Sequence, residues 1–213
     1  KLSVMPKMKK FPEDSGRIDF LSPIESAKLL NDKEDPVING MALMALRTGM
    51  RFGEIIGLDW RDVDLEKRLI NVRRNKVMGI MGTPKNGKVR SIAIASDLYE
   101  LLTQQAKPAG PVFHLEDGRE LTHHLALNAL KRACVRAGIR KISWHILRHT
   151  TASHLVAEGV PMNVVKELLG HSSILMTSKY SHLAPSAIKD AVELFSRIEK
   201  RELDKVGTEM ALT

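Results

Sequence analysis

The stretch WHILRHTTASHLVAEGVPMNVVKELLGHSSILMTSKY, from Trp144 to Tyr180, decides how the chain is read. Gly159 and Gly170 fall where helices should end, so the stretch reads as helices over about 146–158, 161–169 and 173–181. His145 and Arg148 are three residues apart, so on a helix they share a face and can meet one ligand together. His171 directly follows the glycine that ends the second helix. Tyr180, one of two tyrosines in the chain, lies nine residues further on in the polar run Thr177-Ser178-Lys179-Tyr180-Ser181-His182. A zinc-protease helix is the competing reading, because His145 and His149 are four apart and His154 follows. It fails on Ile146, which stands where that helix needs a glutamate, and no metal site is expected.

Upstream, Thr48-Gly49-Met50-Arg51-Phe52-Gly53-Glu54-Ile55-Ile56-Gly57-Leu58-Asp59-Trp60 places an arginine between a helix-stopping glycine and the next helix start. That position suits a preorganised guanidinium. The first helix opens at Ser22-Pro23-Ile24-Glu25, with serine as cap, proline at the first helical position and glutamate closing a capping box. It should run to about Asn31, followed by helices over about 37–48 and 52–58. Leu69-Ile70-Asn71-Val72 and Ser91-Ile92-Ala93-Ile94 carry β-formers, with Gly79, Gly82, Pro84 and Gly87 between them. This predicts a small antiparallel hairpin or three-stranded sheet with a lysine-bearing turn. Further helices are expected near 97–106, 122–137 and 186–201. The fold class is therefore mainly α with a small antiparallel sheet. Residues 1–18 read as a linker or arm, 19–185 as the working domain, and 186–213 as a C-terminal helix and tail.

Composition narrows the partners. Lys and Arg outnumber Asp and Glu by 33 to 25 over 213 residues, and the formal net charge is +8. Such a surplus points to a polyanion, because neutralising phosphates releases condensed counterions. Cys134 is the sole cysteine, so no internal disulfide is available, and no apolar run nears the ~20 residues that cross a bilayer. These features predict a cytoplasmic, nucleoid-associated protein with no membrane and no small-molecule substrate. A chain that opens on Lys1 rather than methionine reads as a piece of a longer one. Asp59, Asp62 and Asp64 read as a polar turn leading into a strand rather than a two-metal site.

Taken together, the motifs resemble the tyrosine recombinase (phage integrase) family over about residues 20–185. The family's first arginine box, Thr-Gly-x-Arg-x-x-Glu with a tryptophan beyond, falls on Arg51, Glu54 and Trp60. Its His-x-x-Arg, Leu-Gly-His and tyrosine boxes fall on His145, Arg148, His171 and Tyr180 in the same order. A Lys-Thr-Gly-Lys-x-Arg-like turn matches Thr83-Pro84-Lys85-Asn86-Gly87-Lys88-Val89-Arg90, which assigns Lys85 and leaves Lys88 as its rival. Gly53 stands where the family often has serine, a departure expected to matter little.

The resemblance implies a site-specific DNA recombinase acting through a 3′-phosphotyrosine. Tyr180 is its nucleophile, Arg51 and Arg148 hold the phosphate oxygens, and His145 takes the phenolic proton. His171 is a second donor to the phosphate, and Lys85 protonates the 5′-oxygen. Bond energy is kept in the ester, so no cofactor is called for. The implied partners are double-stranded DNA and three further copies of the chain, in a homotetramer on DNA that exchanges C-terminal helices. Ile188, Val192, Phe195 and Ile198 supply the apolar face of that helix. Arg73, Arg74, Lys76, Lys88 and Arg90 are expected to touch phosphates. A type IB topoisomerase shares this chemistry without exchanging partners, and a non-catalytic DNA-binding relative is a third class. The intact set of boxes and the short distance from Leu-Gly-His to Tyr180 favour the recombinase.

Overall fold

The computed structural model describes residues 18–83, 89–115 and 121–185, and further on residues 193, 194, 197 and 199–201. Its helices begin where the sequence supplies caps. In α1 (Pro23–Leu30), the Ser22 hydroxyl accepts from the Glu25 amide while the Glu25 carboxylate accepts from the Ser22 amide. In α2 (Pro36–Thr48), Asp35 accepts from the Ile38 amide, and Gly49 ends the helix in the left-handed region at φ 62°. Then come α3 (Phe52–Ile56), α4 (Ser96–Gln105), α5 (His123–Arg136), α6 (Trp144–Ala157), α7 (Met162–Leu169) and a short α8 (Leu175–Ser178).

The sheet lies between α3 and α4. Strands β1 (Val63–Asp64), β2 (Leu69–Val72) and β5 (Arg90–Ala93) form an antiparallel sheet in the order β1-β2-β5, with Ile70 opposite Ile92. A separate hairpin, β3 (Asn75–Val77) with β4 (Ile80–Gly82), was not expected from the sequence. Its two-residue turn is Met78-Gly79, with φ of 50° and 80°. Such a turn requires positive φ at both positions and is usually announced by Asn-Gly or Asp-Gly, so a methionine there concealed it. The single helix expected over 173–181 is instead α8 followed by a 3-10 turn at Ser181–Leu183. Described residues from 193 onward are helical, whereas Ile188, Val192, Phe195 and Ile198 lie outside the described residues.

One large core gathers α2, the sheet, α4, α5 and the start of α6 around Met41, Met44, Ile70, Ile92, Leu98, Leu130 and Leu147. A second, smaller cluster joins Ala152 and Val156 of α6 to Val165 and Leu169 of α7 and to Tyr180. Helix α6 passes through both. Its Thr151 hydroxyl reaches the carbonyls of Ala45 and Leu46 at the end of α2, at 3.1 and 3.2 Å. On its other side, Thr150 and His154 hold the backbone of Leu21 at 3.0 and 2.8 Å. Helix α6 is thus the central strut. No helix among the described residues is long and apolar enough to cross a membrane.

Gly53 matters more than its sequence context implied. Helix α3 packs its glycine face onto β3, and a Cβ built on Gly53 would collide with Asn75 Oδ1 and stand 2.6 Å from the Lys76 carbonyl oxygen. The second obstacle is backbone, so the hairpin itself has to shift. Gly53→Ser should therefore cost about 1–3 kcal/mol, in the range of overpacking elsewhere, as read from urea unfolding. A variant with the parental midpoint and slope would show that the hairpin yields freely.

Candidate active site

The site is assembled where three helix ends meet. Arg148, in the second turn of α6, is 2% exposed, and no carboxylate among the described residues touches it. Its Nη1 donates to the Gly49 carbonyl at the end of α2 (2.6 Å), and its Nη2 to the Leu169 carbonyl at the end of α7 (2.7 Å). Both acceptors are terminal carbonyls lacking helical partners, and both carry the negative end of a helix dipole. Burial, helped by Arg51, lowers the guanidinium pKa to about 9, so it stays charged at neutral pH.

Arg51 caps α3 and is placed by Glu54, which is 1% exposed. The carboxylate accepts from the Arg51 amide (2.8 Å) and Nη1 (3.1 Å), and from both terminal nitrogens of Arg90 (3.0 and 2.7 Å). Burial works to raise the Glu54 pKa, but the Arg90 fork, the Arg51 amide and both positive charges outweigh it and hold the group below its ordinary value. Arg90 also donates to the Leu168 carbonyl at 3.1 Å. Its guanidinium is turned inward, so the phosphate contact expected of Arg90 is corrected here: its donors serve the site's scaffold. The sign was present in the sequence, since Arg90 shares strand parity with buried Ile92.

Tyr180 is 1% exposed, and its Oη is 2.5 Å from Nδ1 of His149. Burial raises its pKa to about 12, against a lowering pull from Arg148. His145, the expected partner, makes no hydrogen bond to the phenol. It lies at the cleft mouth, edge-on to the His149 ring with centroids 4.3 Å apart. Loss of water contact, then Arg148, Lys179 and Arg51, lower the His145 pKa; burial and then His145 lower that of His149 to about 3. His171 follows the left-handed Gly170, is 8% exposed, and shares a hydrogen bond of 2.8 Å with the Thr177 hydroxyl. Burial and then Arg148 bring it to about 3 as well. Lys179 sits over the Tyr180 ring at 5.1 Å. His149 and Thr177 had been passed over. His149 had a visible signal, lying one helical turn beyond His145.

Arg51, His145 and Arg148 line a cleft of about 1050 Å³, bounded opposite by Lys76, Val77, Met78 and Gly79 of the hairpin. Of the residues expected to meet phosphates, Lys76 is therefore on this cleft. Arg74 pairs with buried Asp62 at 3.1 Å and with Asp59 at 3.6 Å, while Arg73 stands 3.8 Å from Asp62. Asp59, held below its ordinary pKa by Arg61 first and Arg74 after it, is thus occupied by arginines. Lys85 and Lys88 lie outside the described residues. Among the described residues, three arginines meet at this site and one carboxylate answers them. The arrangement is built to receive an anion beside a hydrogen-bonded phenol.

The two low histidine pKa values carry a stability consequence. Unfolded imidazoles take up protons near pH 6.5, whereas His149 and His171 in the fold resist protonation down to about pH 3. The folded state then binds fewer protons, so the stability is complete above pH 6.5 and drains as pH falls toward 3. Urea midpoints should fall between pH 7 and pH 5, and His171→Asn should flatten that decline. An unchanged slope in the variant would assign the acid sensitivity elsewhere.

The pattern that defines the phage integrase family matches residues 23–187. A protein named tyrosine recombinase XerC-like, from Caldanaerobacter subterraneus subsp. tengcongensis, is 30% identical over 208 residues, covering 83% of this chain and 53% of that one. The integrase of Salmonella phage P22 is 31% identical over 185 residues, covering 82% of this chain and 46% of that one. The chain spans about half the length of these curated relatives. The catalytic domain of bacteriophage HP1 integrase superposes with a TM-score of 0.64 at 28% identity, covering 83% of this chain and 94% of that domain. The Tn1549 transposon integrase in complex with transposon right end DNA has the same fold, with a TM-score of 0.72 at 22% identity over 89% of this chain and 69% of that one. With the family pattern spanning the residues that build both cores and the site between them, the chain belongs to the phage integrase family.

Proposed function

We propose that the chain is the catalytic portion of a site-specific DNA recombinase that cleaves and rejoins strands through a covalent 3′-phosphotyrosine at Tyr180. One observation carries this reading: a buried arginine with no carboxylate partner among the described residues, Arg148, shares a site with Arg51 and a hydrogen-bonded phenol. Attack of the phenol oxygen on a phosphodiester builds negative charge on the non-bridging oxygens. Fixed guanidiniums meet that charge without reorganising. His171 serves as a further donor to the same oxygens, and Lys85 supplies the proton for the departing 5′-oxygen. The ester conserves the energy of the broken bond, so a 5′-hydroxyl from the same or a partner duplex can reverse the step.

Double-stranded DNA is the substrate that the cleft and the +8 charge fit. Arg73, Lys76 and Lys88 are assigned to backbone contacts that give affinity without reading sequence. The Tn1549 integrase, a structural relative, is itself a DNA complex. A homotetramer on DNA that exchanges C-terminal helices is the assembly this reading calls for, with residues 186–213 as the exchanged segment and residues 1–18 as an arm.

Nicked suicide duplexes tiled across the genomic flanks of the encoding gene provide the test. One of them should trap a covalent protein–DNA adduct at Tyr180, and Tyr180→Phe should trap none. Arg148→Ala should slow adduct formation ~10²–10³-fold, the usual loss for one transition-state donor, with a smaller loss in affinity. An adduct that persists in Tyr180→Phe would refute the assignment, and supercoil relaxation without recombinants would move the chain to the topoisomerase class. Affinity for duplex DNA should also fall steeply as salt rises, with a slope near −0.9 for each phosphate neutralised. A flat salt response would leave the cleft without its polyanion.

A further inference from the structure

We propose that His149 accepts the phenolic proton of Tyr180 during strand cleavage, with His145 packed against it as the ring that fixes its orientation. This rests on the cleavage reading above and adds to it the destination of the proton. The geometry is direct. His149 Nδ1 stands 2.5 Å from Tyr180 Oη, and the two rings are tilted at 54° with centroids 5.8 Å apart. His145 meets the His149 ring nearly at right angles, 81° between planes, and forms no hydrogen bond with the phenol. Both side chains rise from α6 one turn apart, while Tyr180 is locked into the small core by Val156, Val165 and Leu169. Donor and acceptor are therefore fixed by packing before any substrate arrives.

The resting state assigns the proton. Burial keeps the phenol protonated, with its pKa raised to about 12, and keeps the imidazole neutral, lowered to about 3. In the proposed tautomer, Oη–H donates to Nδ1 and the ring carries its own hydrogen on Nε2. Ionisation ahead of attack lies far uphill between groups so far apart. Transfer instead accompanies attack. As the Oη–P bond forms, the Oη–H bond breaks and the proton moves to Nδ1; the P–O5′ bond breaks, and the 5′-oxygen takes a proton from a separate acid. Rejoining runs the same steps backward and returns the His149 proton to Tyr180.

The substrate itself prepares the base. The groups facing His149 are His145 and Arg148 on α6, Lys179 and Tyr180 after α8, and His171 after α7; the charged ones among them are positive and oppose an imidazolium. A phosphodiester seated on Arg51 and Arg148 brings negative charge into that field. His149 thereby becomes a competent acceptor only when DNA is in place, and an unengaged phenol stays protonated.

The test uses the 213-residue chain with His149→Ala and His149→Gln on the duplex that traps the parental adduct. Both variants should form adduct ~10²–10⁴-fold more slowly, the usual contribution of a positioned base, with DNA affinity unchanged. Their rates should climb with pH as hydroxide replaces the lost base, while the parent stays flat. Sulfur at the bridging 5′ position should leave the defect in place, because a thiolate departs without a proton whereas the phenol must still lose one. Parental rates in both variants would overturn the proposal. Full rescue by the 5′-sulfur substrate would also overturn it, by making His149 the leaving-group acid. If the parent forms no adduct, the cleavage reading fails, and nitrogen-15 NMR of the DNA-free parent still judges the contact. His149 Nδ1 should give the signal of an unprotonated acceptor that moves in Tyr180→Phe. A protonated Nδ1 would overturn the proposal independently.

Discussion

A guanidinium has been buried without a carboxylate among the described residues to neutralise it, and the rest of the molecule is organised to make that tolerable. An unpaired charge in a protein interior costs several kcal/mol after relaxation, so Arg148 needs compensation from groups that carry no net charge. It finds this in the last carbonyls of two helices, Gly49 after α2 and Leu169 at the end of α7. These are dipole ends that would otherwise be unsatisfied. The arrangement solves two problems together, since each helix terminus is capped by the charge it stabilises. It also fixes the relative placement of α2, α6 and α7, because moving any of them strands a donor or a carbonyl. What it does not supply is an anion, and that deficit suits the site to the phosphate proposed above.

Glu54 extends the same logic. One carboxylate holds the Arg51 side chain, the start of α3 and the fork of Arg90, and Arg90 returns to the Leu168 carbonyl. The sheet is thereby joined to α3 through an ion pair and to the end of α7 through a hydrogen bond from the same arginine. Among the described residues three arginines with one carboxylate leave the cluster positive, with Arg90 held through three guanidinium nitrogens, Arg148 through two and Arg51 through one. Such a cluster can meet developing charge without first rearranging.

The outline was legible in the sequence because it is written in local rules. Ser22 and Glu25 announce a capping box, Gly49 and Gly170 announce helix ends, and the β-formers of Leu69–Val72 announce a strand, whose inward face at Ile70 and Val72 the structure supplies. The boxes around Arg51, Arg148, His171 and Tyr180 were equally plain, and the fold brings them together. Pairings between segments were not legible. Nothing near Tyr180 says that its hydroxyl meets a residue 31 positions earlier, and a histidine next to an arginine reads as one more polar helix residue. Arg90 was taken for a surface cation because basic residues crowd that stretch, although strand parity with Ile92 argued for the interior. The β3–β4 hairpin escaped because Met78 adopts positive φ without the residue type that usually signals it.

Placing the Tyr180 side chain in a core has a cost if it is the nucleophile proposed above. Burial within the Ala152–Val165–Leu169 cluster gives Tyr180 a fixed position but raises its pKa, making the reactive phenolate rarer than in water. A phenol of ordinary pKa is about one part in a thousand ionised at neutral pH, and each further pKa unit removes another factor of ten. An exposed tyrosine would ionise more readily, yet it would lose the alignment with Arg148 that attack in line with the leaving group demands. Position and ionisation therefore pull in opposite directions, and this fold favours position. On the proposed reading, the consequence is a phenol that stays protonated until a phosphate changes the field around it.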